Sequence, residues 1–184
     1  MSLTKQNIES LLVLCQERNQ LAQLEVYNRY QSAMYNVALR IVKDTAEAED
    51  IMQESFITAF SKLDMFKGEA TFGSWLKRIV INKAITEQKK SSRFVRLPEA
   101  AIADTADEAY EGIAEDDYNH LKASEVMNCM NTLHDSYRQI LSLHLIEGYD
   151  YEEICEILSI SYANCRTMIS RAKDSLRNKL TVTS

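Results

Sequence analysis

Apolar residues recur along this chain mostly at spacings of three and four, the period of an α-helix that turns one face to a core. Val26, Tyr30, Met34, Val37 and Ile41 mark such a face and predict a helix over 20–43. Thr4 is placed to cap an earlier helix over about 4–17. Thr45 is the expected N-cap of a third, whose core face reads Ala48, Met52, Ser55, Phe56, Ala59 and Leu63. Its first turns carry Glu47, Glu49, Asp50 and Glu54, a favourable placement near the positive end of the helix dipole. A loop over 64–70 follows, then a fourth helix over about 71–93 with Phe72, Trp75, Leu76, Ile79 and Val80 turned inward.

The second half predicts helices over 118–130 and 135–146, the latter ended by Gly148. Asp150 and Glu153 have the spacing of a capping box. The short helix they start ends near Leu158, and three residues later Ser161 is placed to cap the next one. This is a helix-turn-helix pattern. Ile154, Leu158, Ile160, Cys165, Ile169 and Leu176 supply one core, and Cys155 is expected where the two helices cross closely. The outer face of the second helix presents Tyr162, Asn164, Arg166, Thr167, Ser170, Arg171 and Lys173. Such a helix fits a major groove, where Arg takes guanine bidentately and Asn takes adenine.

Composition sharpens this picture. Four Gly and one Pro in 184 residues are too few for a hairpin-rich β fold. The expected class is all-α, with two small helical domains. The longest wholly apolar run, residues 11–15, is far short of a membrane span, and no signal-peptide pattern opens the chain, so a cytoplasmic protein without membrane insertion is expected. Cys15, Cys129, Cys155 and Cys165 form no CxxC pair, and His120, His134 and His144 have no ligand spacing. Neither metal nor cofactor is expected. No activated nucleophile, paired-carboxylate pattern or Gly-rich phosphate loop points to an enzyme.

Charge divides the chain more clearly than hydropathy does. The formal net charge is −6. Residues 1–96 carry 14 bases and 11 acids, residues 97–125 one base and 9 acids, and residues 126–184 6 bases and 7 acids. The acidic stretch holds Pro98 and few apolar residues beyond Ala, so it reads as a tether. The predicted organisation is a domain over 1–96, a flexible acidic linker over 97–117 and a domain over 118–184. Two stretches within the acidic whole are strongly basic. Lys77, Arg78, Lys83, Lys89, Lys90, Arg93 and Arg96 stand against Glu87 alone, and Arg166, Arg171, Lys173, Arg177 and Lys179 stand against Asp174 alone.

Two features of the first domain admit two readings each. Asp50, Gln53, Glu54 and Ile57 share one helix face, either as a solvated acidic stripe or as a docking surface for a basic partner. Trp75 is either a core anchor or, beside Lys77, Arg78 and Asn82, a platform for stacking against a splayed strand.

The run Ala48-Glu49-Asp50-Ile51-Met52-Gln53-Glu54-Ser55-Phe56, the run Phe66-Lys67-Gly68-Glu69-Ala70-Thr71-Phe72-Gly73-Ser74-Trp75-Leu76, and then Arg78-Ile79 with Asn82, resemble region 2 of sigma-70 family sigma factors. Residues 150–180 resemble region 4.2, and the short two-domain chain resembles the extracytoplasmic-function group. The resemblance covers about 20–90 and 125–180.

It implies a non-enzymatic subunit that binds core RNA polymerase, directs promoter-specific initiation and assists DNA melting. Asp50, Gln53, Glu54 and Ile57 would dock on a coiled coil of the β′ subunit. Phe66, Lys67, Gly68, Glu69 and Thr71, with Phe72, Trp75, Arg78, Asn82 and Lys83, would capture the non-template strand of the −10 element. Tyr162, Asn164, Arg166, Thr167, Ser170, Arg171 and Lys173 would read the −35 element, and the linker would thread toward the RNA exit path. The implied partners are the β′ and β subunits of core polymerase, promoter DNA and an anti-sigma factor, with the chain monomeric when bound to polymerase. Ser159 stands where the family's turn usually has Gly, and Asn164 and Met168 stand where Thr and Arg are common. The rival reading is a stand-alone helix-turn-helix regulator that binds a symmetric operator as a dimer.

Overall fold

A computed structural model describes residues 3–94 and 117–183, and among these every regular element is helical. The chain divides into two compact units, Met1–Val95 and Arg96–Ser184. The tether expected over 97–117 lies, except for Asp117, outside the described residues.

In the first unit, α1 (Ile8–Gln16) is preceded by a 3-10 turn, Leu3–Lys5. Its cap is Asn7, whose Oδ1 accepts from the Ser10 N–H at 2.9 Å, and not Thr4. Thr4 belongs to the preceding turn, where its carbonyl accepts from Arg29. α2 (Gln20–Val42) is capped by Asn19 and stops at Lys43, which takes the left-handed conformation at φ 63°. α3 (Thr45–Ser61) is capped by Asp44, through a 2.8 Å bond from the Glu47 N–H, so Thr45 is its first residue and not its cap. Of two adjacent capping residues the anionic one gains more from the helix dipole. A 3-10 turn, Leu63–Met65, leads into the loop before α4 (Phe72–Phe94), which Thr71 caps through the Ser74 N–H at 3.2 Å.

α2 is the centre of the unit and packs against α1, α3 and α4. Val26, Met34, Val37 and Ile41 are buried as the spacing required, and so is every residue of the expected α3 face. α4 departs from expectation. Its buried stripe is Phe72, Leu76, Val80, Ala84 and, alongside, Ile81 and Ile85, while Trp75 and Ile79 are half-buried on the opposite edge. Its apolar residues fit two helical faces, and the six that seal against the core leave Trp75 and Ile79 outside. Gly73 lets the first turn of α4 approach α2, because a Cβ there would lie 3.0 Å from the Tyr30 ring.

In the second unit, α5 (Asp117–Asn131) and α6 (Asp135–Leu141) are followed by α7 (Tyr151–Leu158) and α8 (Tyr162–Thr183). The helix expected to run unbroken to residue 146 instead widens after Leu141 into a π turn, Ser142–Ile146, in which the Glu147 N–H bonds the Ser142 carbonyl at 3.0 Å. Leu143 stays buried while Leu145 and Ile146 emerge to solvent. Gly148 then ends the segment at φ 78°.

The capping box forms in both directions. The Glu153 N–H bonds Asp150 Oδ1 at 2.8 Å and the Asp150 N–H bonds Glu153 Oε2 at 3.0 Å. Ser159 adopts the left-handed turn at φ 57°, ψ 48°, and Ser161 Oγ accepts from the Asn164 N–H at 3.3 Å. Ile154, Leu158, Cys165, Ile169 and Leu176 are buried as expected, with Ile160 half-buried. Cys155 lies where α7 meets α8, half-buried against the thiol of Cys165, which is fully sealed. Burial, together with the neighbouring Cys155 thiol, pushes the Cys165 thiol up to about 11, so it is an unreactive core group.

Left-handed backbone costs a non-Gly residue about 1 kcal/mol, and a reciprocal cap contributes about as much. Ser159→Gly is therefore expected to slow amide exchange across α7 and raise the stability of the second unit by up to about 1 kcal/mol. Asp150→Ala should lower it by about the same amount. Urea unfolding read by residue-resolved exchange measures both.

Candidate nucleic-acid interface

The outer face of α3 is built as its spacing demands. Asp50, Gln53, Glu54 and Ile57 are all exposed, and Ile57, at the end of the polar stripe, is 69% exposed. Gln53 Nε2 donates to Glu49 Oε1 at 3.2 Å. Glu54 Oε2 meets Lys83 Nζ of α4 at 2.6 Å, and this ammonium holds the Glu54 carboxyl below the ordinary carboxylate range. A solvated stripe has no need of a large exposed apolar residue. A docking surface does, because burying it supplies affinity that charge alone does not.

Between α3 and α4 lies an open cleft of about 520 Å³. Trp75, Asn82 and Lys83 line it, joined by Thr58 from α3, Lys62 just after it, Met65 from the turn, and Ile79, Thr86 and Glu87 from α4. It offers an aromatic face, a thioether, two ammonium groups and an amide that can both donate and accept, which together suit an unstacked base and its phosphate. Arg78 lies outside the cleft but shares the outward stripe, three residues from Trp75 and four from Asn82. The sequence reading missed Thr58, Lys62, Met65, Ile79, Thr86 and Glu87. Ile79 and Thr86 were within its reach, being three and four residues from Asn82.

The loop before α4 is pinned by aromatic packing. Phe66 is 5.8 Å from Phe72 and 5.4 Å from Trp75, centroid to centroid, and Phe72 is 5.8 Å from Trp75. Phe72 is only 2% exposed and has no free face for a strand. It packs beneath Phe66 and Trp75 and does not face solvent with the other residues expected to capture the strand. Phe66 is half-buried and anchors the loop, while Lys67, Gly68, Glu69 and Thr71 are exposed at its rim. Gly68 takes φ 74°, with open space where a side chain would be.

On α8, Tyr162, Asn164, Arg166, Thr167, Ser170 and Arg171 are exposed and Lys173 is half-buried. Tyr162, Arg166, Thr167, Ser170 and Arg171 come together with Ala163 along one groove, while Asn164 and Lys173 lie outside it. Tyr162 is held by Tyr151 at 6.0 Å, itself against His144 at 5.2 Å. Two bases of this stretch are engaged within the fold. Arg177 pairs with Asp174 at 2.9 Å, and Lys179 donates to the Thr132 carbonyl at 2.8 Å. The basic residues that line the groove are Arg166 and Arg171.

Among the described residues, no group of three or more His, Cys, Asp or Glu side chains could hold a metal ion, and no helix is long and apolar enough to cross a membrane.

Residues 26–94 match sigma-70 region 2, and residues 123–176 match sigma-70 region 4. Curated relatives cover most of the chain. The ECF RNA polymerase sigma-E factor of Haemophilus influenzae is 30% identical over 162 residues, 83% of this chain and 84% of that protein. The ECF RNA polymerase sigma factor SigW of Bacillus subtilis is 31% identical over 164 residues, 85% of this chain and 87% of that protein. Solved structures of the same fold include the sigma factor RpoE in complex with the anti-sigma factor NepR from Bartonella quintana, with TM-score 0.58 and 21% identity over 87% of this chain and 97% of that chain. CnrH in complex with the cytosolic domain of CnrY matches with TM-score 0.55 and 23% identity over 95% of this chain and 97% of that chain. A dimeric regulator needs no region 2, and here that region is the more extensive match. With both regions matched in order and relatives of nearly equal length, the chain belongs to the sigma-70 family of RNA polymerase sigma factors, in its extracytoplasmic-function group.

Proposed function

We propose that this sigma factor docks on core RNA polymerase through Asp50, Gln53, Glu54 and Ile57, holds the melted −10 strand in the α3–α4 cleft, and reads the −35 element with α8. The observation that carries this reading is the two-sided character of α4. One stripe is sealed in the core, and the opposite stripe presents Trp75, Arg78, Asn82 and Lys83 beside a cleft that suits a base. The division of labour is residues 1–96 for docking and melting and residues 118–184 for upstream recognition, joined by residues 97–117.

No covalent step is required. Extracting a base from the duplex costs a few kcal/mol, and stacking on an aromatic face offsets about 1–3 kcal/mol of it. Trp75 supplies that face, Asn82 the hydrogen bonds, and Lys83 and Arg78 the charge for adjacent phosphates. The exposed loop from Lys67 to Thr71 forms the rim over which the strand enters. In α8, Arg166 and Arg171 are five residues apart, too far to share a base pair, and the Ala163 and Thr167 methyl groups suit a thymine methyl. An anti-sigma factor is the regulatory partner suggested by the likeness to the NepR complex.

Run-off transcription with core polymerase on genomic fragments, with and without the chain, tests the reading as a whole. Polymerase-dependent, position-specific transcripts are expected. Tight binding of a symmetric operator by the free chain would replace this reading with the dimeric regulator. Gln53→Ala and Glu54→Lys should weaken association with core polymerase while changing stability by under roughly 0.5 kcal/mol, as checked by thermal melting. Arg166→Ala and Arg171→Ala sort by outcome. A base-reading arginine costs about 1–3 kcal/mol and relaxes preference at one promoter position, whereas a phosphate contact weakens all promoters alike.

A further inference from the structure

The docking stripe and the strand-facing cleft are joined side chain to side chain by the Glu54–Lys83 ion pair. Glu54 lies on the outer face of α3 with its side chain 61% exposed, and Lys83 reaches it from α4 with 27% exposure. Lys83 also lines the cleft. The pair therefore spans the rim between the two surfaces, with the carboxylate on the docking side and the ammonium on the strand side. Farther along α4, Lys90 adds to the positive field at Glu54, but its own Nζ is held by Glu87 at 2.6 Å. In the free chain Lys83 thus faces the cleft with its charge already matched.

An ammonium drawn to a carboxylate serves a phosphate less well, because the two anions compete for the same donors. A carboxylate only accepts, so the group that can take Glu54 away from Lys83 is a cation, an Arg or Lys of the surface that docks there. We propose that Glu54 is a positioning residue for Lys83, and that their ion pair couples polymerase docking to strand capture: a docking cation that engages Glu54 releases Lys83 to a phosphate at the cleft rim.

The inference rests on the docking and strand-capture assignments made above. It deepens them by giving one residue of the docking stripe an effect on the DNA side. The exposure of Glu54 sets the scale. Ion pairs this exposed are weak and exchange readily, so the coupling is a factor of about three to five and not an on–off switch. By thermodynamic linkage the same factor must act in both directions. Removing Lys83 should therefore help docking even though it harms strand capture.

The test uses the full chain with two probes, a fluorescein-labelled oligo-dT followed by anisotropy across a salt series, and core RNA polymerase without DNA. Glu54→Gln is expected to tighten oligo-dT binding by the free chain about threefold and to steepen the log–log salt slope by roughly 0.7, the contribution of one more single-strand phosphate. In a Lys83→Gln background the same substitution should do neither. Lys83→Gln alone should tighten docking on core polymerase about threefold, since Glu54 is then free for the partner's cation. A gain from Glu54→Gln that survives in the Lys83→Gln background is a general charge effect and overturns the coupling. Docking unaffected by Lys83→Gln overturns it as well. Trp75→Ala and Gln53→Ala judge the underlying assignments separately. If the first loses oligo-dT and the second loses polymerase while the pair is inert, the coupling falls and the assignments stand. If both retain full binding, the assignments fall and the coupling with them.

Discussion

Burial of one face of α4 decides what its opposite face can do. Phe72, Leu76, Val80, Ile81, Ala84 and Ile85 are sealed within the unit, where α4 packs against α2 and α3. Each large apolar side chain so buried contributes about 1.5–3 kcal/mol, more than any exposed contact on the other side. The helix therefore cannot rotate to improve a surface interaction, and Trp75, Arg78 and Asn82 are held where the core leaves them. Gly73 against Tyr30 fixes the start of the helix, and the Phe66–Phe72–Trp75 cluster fixes the loop that precedes it. The cleft is thus preformed by packing, and a ligand entering it would meet a smaller ordering cost.

The second unit reaches a comparable result with less material. α7 is 8 residues long, too short to hold itself together in water. It depends on its capping box, on the burial of Ile154, Ile157 and Leu158, and on α8 packed against it. The left-handed turn at Ser159 stores about 1 kcal/mol of strain, which this packing sustains. At its far end α8 is tied to the segment after α5 by the bonds from Lys179 to Thr132. A recognition helix held at both ends presents its groove-facing side chains at a defined angle.

Electrostatics within each unit is finer-grained than the net charge of −6 conveys. Arg177 and Lys179 are basic in the sequence but engaged in the fold, and Lys83 shares its charge with Glu54. The side chains that the proposed reading assigns to DNA are therefore a small set on each unit.

The all-α class, the helix-turn-helix and the exposed stripe of α3 were legible in the sequence, because helical periodicity and capping are local properties of the chain. The spacing of Val26, Met34, Val37 and Ile41, the Asp150/Glu153 box and the turn at Ser159 each involve residues within a few positions of one another. Other features were decided only by tertiary structure. Which apolar face of α4 is buried depends on the shape of α2 and α3, so Trp75 and Ile79 could not be separated from Leu76 and Val80 by period alone. The π turn after Leu141, which leaves Leu143 buried, has no signal in the local spacing. The cleft joins Thr58, Lys62 and Met65 to Asn82 and Lys83, and the Glu54–Lys83 bond crosses between helices 29 positions apart in sequence. Contacts at that separation arise when two amphipathic helices pack, and no periodicity within either helix encodes them.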